Sequence, residues 1–499
     1  MSFEERFVRV WAAAGAAAVL SLAGIAAVGQ DTRQVTEPKI PAACVGLNAQ
    51  LAAVGDKVAE ADEQKLDTDR IQSALDKCKP GMAVELKLDG KKNAFLTGPL
   101  ELRAGVTLLI DKGVTLFGSR DPAMYEFGAT QTAPVAGGAC GTSTAVGTGP
   151  VAAGAPAAGG AAAPRVAGRG GCRPLISATN VKDAAIMGDG VIDGRGYAKI
   201  IGRSYSWWEM ARAAEPKNER YFSIRLLVAS HADGLILYGI TLHNSPNFHV
   251  SVNQTNGFTA WGVHLVTPTD KTLDARNTDG IDPGTSENIT VTHSWIDNGD
   301  DNIAIKSGVA HMSVIDNHFY TGHGMSIGSE TLPGQSFLLV DGLTEDHTTS
   351  GVRIKSNVMR GGPVHDLVYK NICMRDVMNP IAISPYYINK TTEPFEDPGY
   401  TGDKIPDYKR ITLENIYDET PGNVLIAGLN DDHRTEVTLN NVAVKGITQA
   451  QVHLAFSDIT LGKMGANFAV EGKNVKVTGD AAVMKAGSDP CAGKFLPMQ

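Results

Sequence analysis

Apolar residues along most of this chain come in short alternating runs rather than at helical spacing. From Val106 onward, stretches of Val, Ile, Leu and Thr are punctuated by Gly, Asn and Asp, the pattern of strands joined by tight turns. The clearest helical period covers Asp69 to Lys77, where Ile71 and Leu75 fall on one face. The strand region repeats: Asn288-Ile289-Thr290-Val291 leads to Asn302-Ile303-Ala304-Ile305, His311-Met312-Ser313-Val314 to Met325-Ser326-Ile327, and Phe337-Leu338-Leu339-Val340 to Val352-Arg353-Ile354. The apolar residue that opens each second strand recurs at Ile281, Ile303, Met325, Val352 and Ile381, in steps of 22, 22, 27 and 29 residues, and similar units continue through Val424 and Val452. Such repeats cannot bury a face alone. Stacked coil on coil they make an all-β molecule, a right-handed parallel β-helix. A β-propeller is the alternative, but its blades take about 40 to 45 residues. The short helix is expected to cap the first coil and hide its strand edges.

A repeat architecture changes the domain count. At about 150 residues per domain the 499 residues would make roughly three, whereas stacked repeats make one, expected to run from 30 to 499. Residues 1–29 read as a signal peptide: Arg6 and Arg9 precede an Ala/Val/Leu/Ile stretch from Trp11 to Val28, and Ala27-Val28-Gly29 is a small-x-small cleavage pattern. Glu4 and Glu5 cancel the two arginines, which leaves a signal anchor as the alternative. No later segment holds about 18 uninterrupted apolar residues, so a secreted protein, extracellular or periplasmic and free of stable membrane association once the signal is removed, is expected. Six cysteines without a C-x-x-C pair fit disulfides better than zinc. The expected pairs are Cys44 with Cys78 and Cys140 with Cys172, among fifteen possible connectivities. The second would close an Ala/Gly/Pro-rich insertion at about 129–171, too poor in large side chains to offset its own ordering entropy. With 45 basic against 54 acidic residues and a net charge of −9, a nucleic-acid partner is disfavoured. A monomer is expected.

In a β-helix, residues one repeat apart lie above each other at about 4.7 to 4.9 Å. Asp279 then stacks on Asp301 and Asp301 on His323, each 22 residues apart, with Asp300 beside Asp301. On the following coil, Arg353 and Lys355 alternate with Val352 and Ile354 and so point outward. Like charges stacked this closely repel unless one group takes up a proton or a ligand needs the set. A solvated Asn/Asp ladder, or calcium sites on a β-helix edge, would account for any one aspartate. The full set in register points instead to catalysis. Carboxylates that hold a water and protonate a leaving oxygen are the tools of glycoside hydrolysis, and a separation of about 6.5 to 9.5 Å would mean inversion.

Asn277-Thr278-Asp279-Gly280, Gly299-Asp300-Asp301, Gly322-His323-Gly324 and Arg353-Ile354-Lys355, in this order, resemble the four signature motifs of the polygalacturonases, family 28 of the glycoside hydrolases. The resemblance runs from about Val35 to Phe468. It includes Ile192-Asp193-Gly194, Ser206-Trp207-Trp208-Glu209 and Asn244-Ser245-Pro246-Asn247-Phe248-His249, segments that look most like those of bacterial endopolygalacturonases. What it implies is inverting hydrolysis of α-1,4-galacturonosidic bonds in polygalacturonate, with no cofactor and no metal. Asp300 would be the general acid, Asp279 and Asp301 would hold and deprotonate the water, and His323 would support Asp300. Arg353 and Lys355 would bind a uronate carboxylate, and Tyr387 would contact substrate. Tyr386 is the close alternative, because strand alternation sends the two opposite ways.

The residues themselves add to this reading. Spacing alone separates the stacked pair Asp279 and Asp301 from Asp300. The two flanking carboxylates are expected to keep Asp300 protonated, giving an acidic optimum. Lys306, Arg276 and Lys271 are near enough in sequence to join a cationic cleft for a polyanion. Trp207 and Trp208 either line a sugar cleft or pack over the coil. Endo action is favoured. The alternatives are an exo-acting or rhamnogalacturonan hydrolase of the same family, a calcium-dependent pectate lyase, and a non-catalytic β-helical carbohydrate-binding protein.

Overall fold

The computed structural model describes residues 30–55, 57–129, 135, 137–145, 171–268, 272–388, 401–479 and 490–498. The expected signal peptide, Lys271 and most of the Ala/Gly-rich insertion lie outside the described residues. Parallel strands stack coil on coil. One face is an 11-stranded sheet that begins at Leu100–Glu101, passes through Ile281–Gly284, Ile303–Ile305, Met325–Gly328, Ser350–Lys355 and Asn379–Ser384, and ends at Val452–Ala455. Apart from a two-stranded ribbon, the remaining ladders join into a 22-stranded sheet, because long strands such as Pro363–Arg375 and Asp407–Asp418 run unbroken through both of its ladders.

The register follows the sequence repeat. Ile281 pairs with Ile303, Ile303 with Met325, Met325 with Val352, and Val352 with Ile381. The extra residues of the longer repeats go into turns such as 329–334, which leaves the strand alignment undisturbed. All five side chains are 0% exposed, so the recurring apolar residue is an internal column, each contributing roughly 1.5–3 kcal/mol by leaving water. Outside the core, successive coils are bridged by an asparagine ladder. Asn441 donates to Asn415, Asn415 to Asn371 and Asn371 to Asp341. The three asparagines sit at positive φ, which their short polar side chains tolerate.

The helix over Thr68–Lys77 buries Ile71 and Leu75 against the first coil, as the periodicity requires. A second helix, Trp207–Ala214, was not read from periodicity. Its start is a capping box in which Glu209 N–H donates to Ser206 Oγ and Ser206 N–H to Glu209 Oε2. Trp207 and Trp208 are each 1% exposed. Trp207 meets Tyr125 edge-on, and Trp208 Nε1 donates to Ser245 O at 2.9 Å, so both pack over the coil and neither lines a cleft. Cys44 is bonded to Cys78, Cys140 to Cys172 and Cys373 to Cys491. Among the described residues no helix is long and apolar enough to cross a membrane.

Candidate active site

The site grows from the turns that enter the 11-stranded sheet. Asp279, Asp301 and His323 each lie two residues before a paired strand residue, Ile281, Ile303 and Met325. Their main chains are tied coil to coil: Gly280 N–H donates to Asp301 O at 2.9 Å, and His323 N–H to Asp300 O at 2.9 Å. The glycines around His323 are required by space. Gly324 has φ 79°, and a Cβ there would lie 1.8 Å from Ser350 O; Gly322 has φ 130°, and its Cβ would lie 2.7 Å from Asn298 Oδ1. The tight Gly-His-Gly turn thereby carries the imidazole over Asp300.

Asp301 is the most enclosed member of the set, 1% exposed. Lys355 Nζ lies 2.7 Å from its Oδ2, Arg353 Nη1 3.3 Å from its Oδ1, and Ser326 Oγ donates to Oδ1 at 2.8 Å. Burial alone would raise this carboxyl, but Lys355 and then Arg353 outweigh it and hold the group below its ordinary range. The two cations therefore do point outward from their strand, yet they rest on Asp301 and are themselves buried. Tyr387 covers them, its ring centroid 5.3 Å from Lys355 Nζ and 5.7 Å from Arg353 Cζ. Tyr386 turns the other way and donates to the carbonyls of Gly428 and Leu429.

Asp300 accepts at Oδ1 from Asp301 N–H at 2.9 Å and faces His323 Nδ1 at 3.1 Å, while Asn277 Nδ2 donates to Oδ2 at 3.2 Å. Burial would raise this carboxyl too, but His323, then Lys355 and the Asp301 N–H, hold it well below its ordinary value. The sequence expectation that neighbouring carboxylates keep Asp300 protonated is thus corrected in the free site. The spacing argument counted aspartates without the partners the fold sets against them. The raised carboxyls are Asp279 and a residue the motif reading passed over, Asp282. Burial, then Asp282 and Asp300, push Asp279 well above its usual range, and burial raises Asp282 to about 7 against the pull of Lys306.

Lys306 Nζ lies 3.6 Å from Asp279 Oδ2 and 3.7 Å from Asp282 Oδ2, and these carboxylates raise its own pKa despite burial. Asp279 Oδ1, both oxygens of Asp282 and Ser251 Oγ are buried without a hydrogen-bond partner among the described residues. Lys306 is therefore committed to two carboxylates instead of lining an open cationic cleft. Arg276 pairs with Glu215 and Asp274. His249, also missed, bridges Asp279 O and Thr267 Oγ1, and burial lowers it to about 4, which makes it a neutral strut under Asp279. The repeat could have found Asp282, since it directly follows the inward Ile281 and stacks on Ser251.

Asp300, Asp301 and His323 bring ligand atoms within 4.8 Å of one another, close enough to hold a metal ion. That donor set is already engaged by Arg353, Lys355, Ser326 and Asn277, and the neighbouring cations oppose a further positive charge. What the arrangement can do is move protons: a carboxyl paired with an imidazole stands beside a stacked carboxylate pair, with two cations at one side.

Known proteins resemble this chain along most of its length. Residues 158–460 match the family model described as glycosyl hydrolases family 28. An endo-polygalacturonase of Pectobacterium carotovorum subsp. carotovorum is 37% identical over 439 residues, covering 87% of this chain and 94% of its own. A polygalacturonase of Ralstonia solanacearum is 36% identical over 450 residues, 81% of this chain and 78% of its own. The solved polygalacturonase from Erwinia carotovora ssp. carotovora has a TM-score of 0.64 at 33% identity, covering 92% of this chain and 98% of its own. A Yersinia enterocolitica family 28 exopolygalacturonase, with a TM-score of 0.60 at 20% identity, shares the fold.

Proposed function

The chain belongs to glycosyl hydrolase family 28, and from that premise we propose that Asp300, with His323, protonates the leaving oxygen while Asp279 and Asp301 hold and activate the attacking water. The overall reaction is hydrolysis of galacturonosidic bonds in polygalacturonate. The observation that carries the division of labour is the 3.1 Å contact of His323 Nδ1 with Asp300 Oδ1. Asp300 is held well below its ordinary range in the free site, and a proton delivered to it across this contact arms the acid. Asp279 and Asp301, one coil apart, keep the opposite position for water.

Substrate binding is coupled to this step. A uronate carboxylate entering under Tyr387 competes with Asp301 for Lys355 and Arg353, which lie 2.7 and 3.3 Å from it. As the cations turn toward the substrate, Asp301 loses their stabilisation of its ionised form and becomes a stronger base. The cations thus act in recognition and in activation, and both effects arise only when the anionic sugar is present.

Endo action is the favoured mode, since a relative matched over 94% of its length is an endo-polygalacturonase. The enzyme acts on pectin, is exported, and works as a monomer. Replacing Asp300 with Asn is expected to lower turnover by about 10²–10⁴-fold while polymer binding persists. Retained cleavage would overturn the role of Asp300, and lost binding would show a collapsed site. Proton NMR of the first products should show the β-anomer. An α-anomer would replace inversion with retention.

A further inference from the structure

A residue outside the four motifs reaches the proposed acid. Tyr221 belongs to the strand Glu219–Tyr221, which forms an antiparallel two-stranded ribbon with Ser143–Ala145, apart from the two large sheets. The ribbon stands at the base of the Ala/Gly-rich insertion, three residues past the Cys140–Cys172 bridge. Gly141 N–H donates to Phe222 O and Phe222 N–H to Thr142 O, each at 2.9 Å, and Ser143 Oγ donates to Glu219 Oε2 at 3.0 Å. From this frame Tyr221 Oη donates to Asn277 Oδ1 at 2.5 Å, and Asn277 Nδ2 donates to Asp300 Oδ2 at 3.2 Å.

The two bonds are linked by amide chemistry. A phenol among carboxylates stays protonated: burial, then Asp300, Glu215 and Asp279, raise Tyr221 further above its already high value, with Arg225 opposing. It therefore keeps a proton to donate, and giving it to Asn277 Oδ1 favours the amide orientation with its carbonyl end toward Tyr221 and its NH2 end toward the acceptor Asp300. We propose that Tyr221 is a positioning residue for the general acid, holding the Asn277 N–H against Asp300 Oδ2 where negative charge develops as the acid gives up its proton. The insertion base is thereby part of the catalytic apparatus. Without Tyr221 the amide is free to turn its oxygen toward Asp300, which would weaken the acid.

This inference rests on Asp300 as general acid, so both are tested in one series on the full-length enzyme. Tyr221→Phe keeps the ring and removes only the donor. The expected result is a fall in kcat of roughly tenfold, the worth of one charge-assisted hydrogen bond, with KM changed less than twofold and an unchanged melting temperature. Asp300 is faced by His323, Lys355, Asp301, Asp279 and Asp282 as well as Asn277. Loss of the Asn277 bond removes a donor that favours its ionised form, so the alkaline limb of kcat/KM should move to higher pH.

Asn277→Ala should reproduce both changes, and the double variant should add nothing further. An aryl oligogalacturonide with a low-pKa leaving group, which needs little protonation, should be cleaved at nearly the wild-type rate by Tyr221→Phe. Equal losses on polymer and aryl substrate, additive variants, or an unmoved pH limb would overturn the proposal. If Asp300→Asn stays active, the reading of the acid itself has failed. If Asp300→Asn is dead while Tyr221→Phe behaves as wild type, only the positioning role falls.

Discussion

Lys355 shows how a single residue acquires two roles from one contact. The residue is 5% exposed, and its ammonium lies 2.7 Å from Asp301 Oδ2. Removing one partner of a buried pair leaves an uncompensated charge, at a cost of roughly 3–5 kcal/mol. With Arg353 still at 3.3 Å, Lys355→Met should sit at or below the low end of that range in chemical denaturation while also raising KM on polygalacturonate. A variant of wild-type stability would mean that Asp301 does not depend on it. Glu345 carries a separate prediction. It is 0% exposed, its Oε1 accepts from Met325 N–H, and its Oε2 has no partner among the described residues. Burial raises it to about 8 from an ordinary 4.5. The folded state then binds this proton more tightly than the unfolded chain. Stability from it is complete below about pH 4.5 and is lost as pH rises toward 8, at about 1.4 kcal/mol per unit. Asp282, raised to about 7, acts in the same sense. Melting temperature should fall from mildly acidic to mildly alkaline pH, and Glu345→Gln should flatten the slope; an unchanged slope would refute this assignment.

At the scale of elements, the Gly-His-Gly turn is where backbone geometry and chemistry meet. Gly324→Ala places a Cβ against Ser350 O at positive φ. Strain of this kind costs of order 1–3 kcal/mol before the clash is added. Denaturation should show at least that loss, with His323 displaced and activity falling alongside; a stable, active variant would show that the turn can relax. The strands were legible because a period of 22 residues writes its register into the chain. Ile281, Ile303 and Met325 had to align, and so Asp279, Asp301 and His323 were brought near one another. The helix Trp207–Ala214 was less legible because it is only 8 residues long, about two turns, too short for its one-sided apolar face of Trp207, Trp208, Met210, Ala211 and Ala214 to establish a period. Its Ser206-x-x-Glu209 start carries the capping-box pattern. Since Trp207 packs on Tyr125, Trp207→Phe is expected to lower the melting temperature without altering KM. A large change in KM would return the tryptophan to the cleft.

For the whole molecule, the stack of coils supplies a rigid ruler and the chain ends are tied to it. Cys373 and Cys491 close a span of 118 residues across the last coils. Replacing both by Ser should cost about 2–4 kcal/mol in denaturant unfolding, with the pH profile of catalysis unchanged, because Asp300 and its partners lie on earlier coils. The sequence by itself determined the β-helix, its register and the clustering of three aspartates with a histidine, because a repeat converts linear spacing into distance. It did not determine which group holds the proton. That depends on what stands opposite each carboxylate: His323 on Asp300, Lys355 and Arg353 on Asp301, and Lys306 between Asp279 and Asp282. Nor could spacing place Tyr221, whose ribbon lies outside the repeat and meets Asn277 across 56 residues of sequence. Periodicity carries position within the coil. Burial and side-chain direction, which set charge and acidity, exist only once the coils and the elements packed against them have come together.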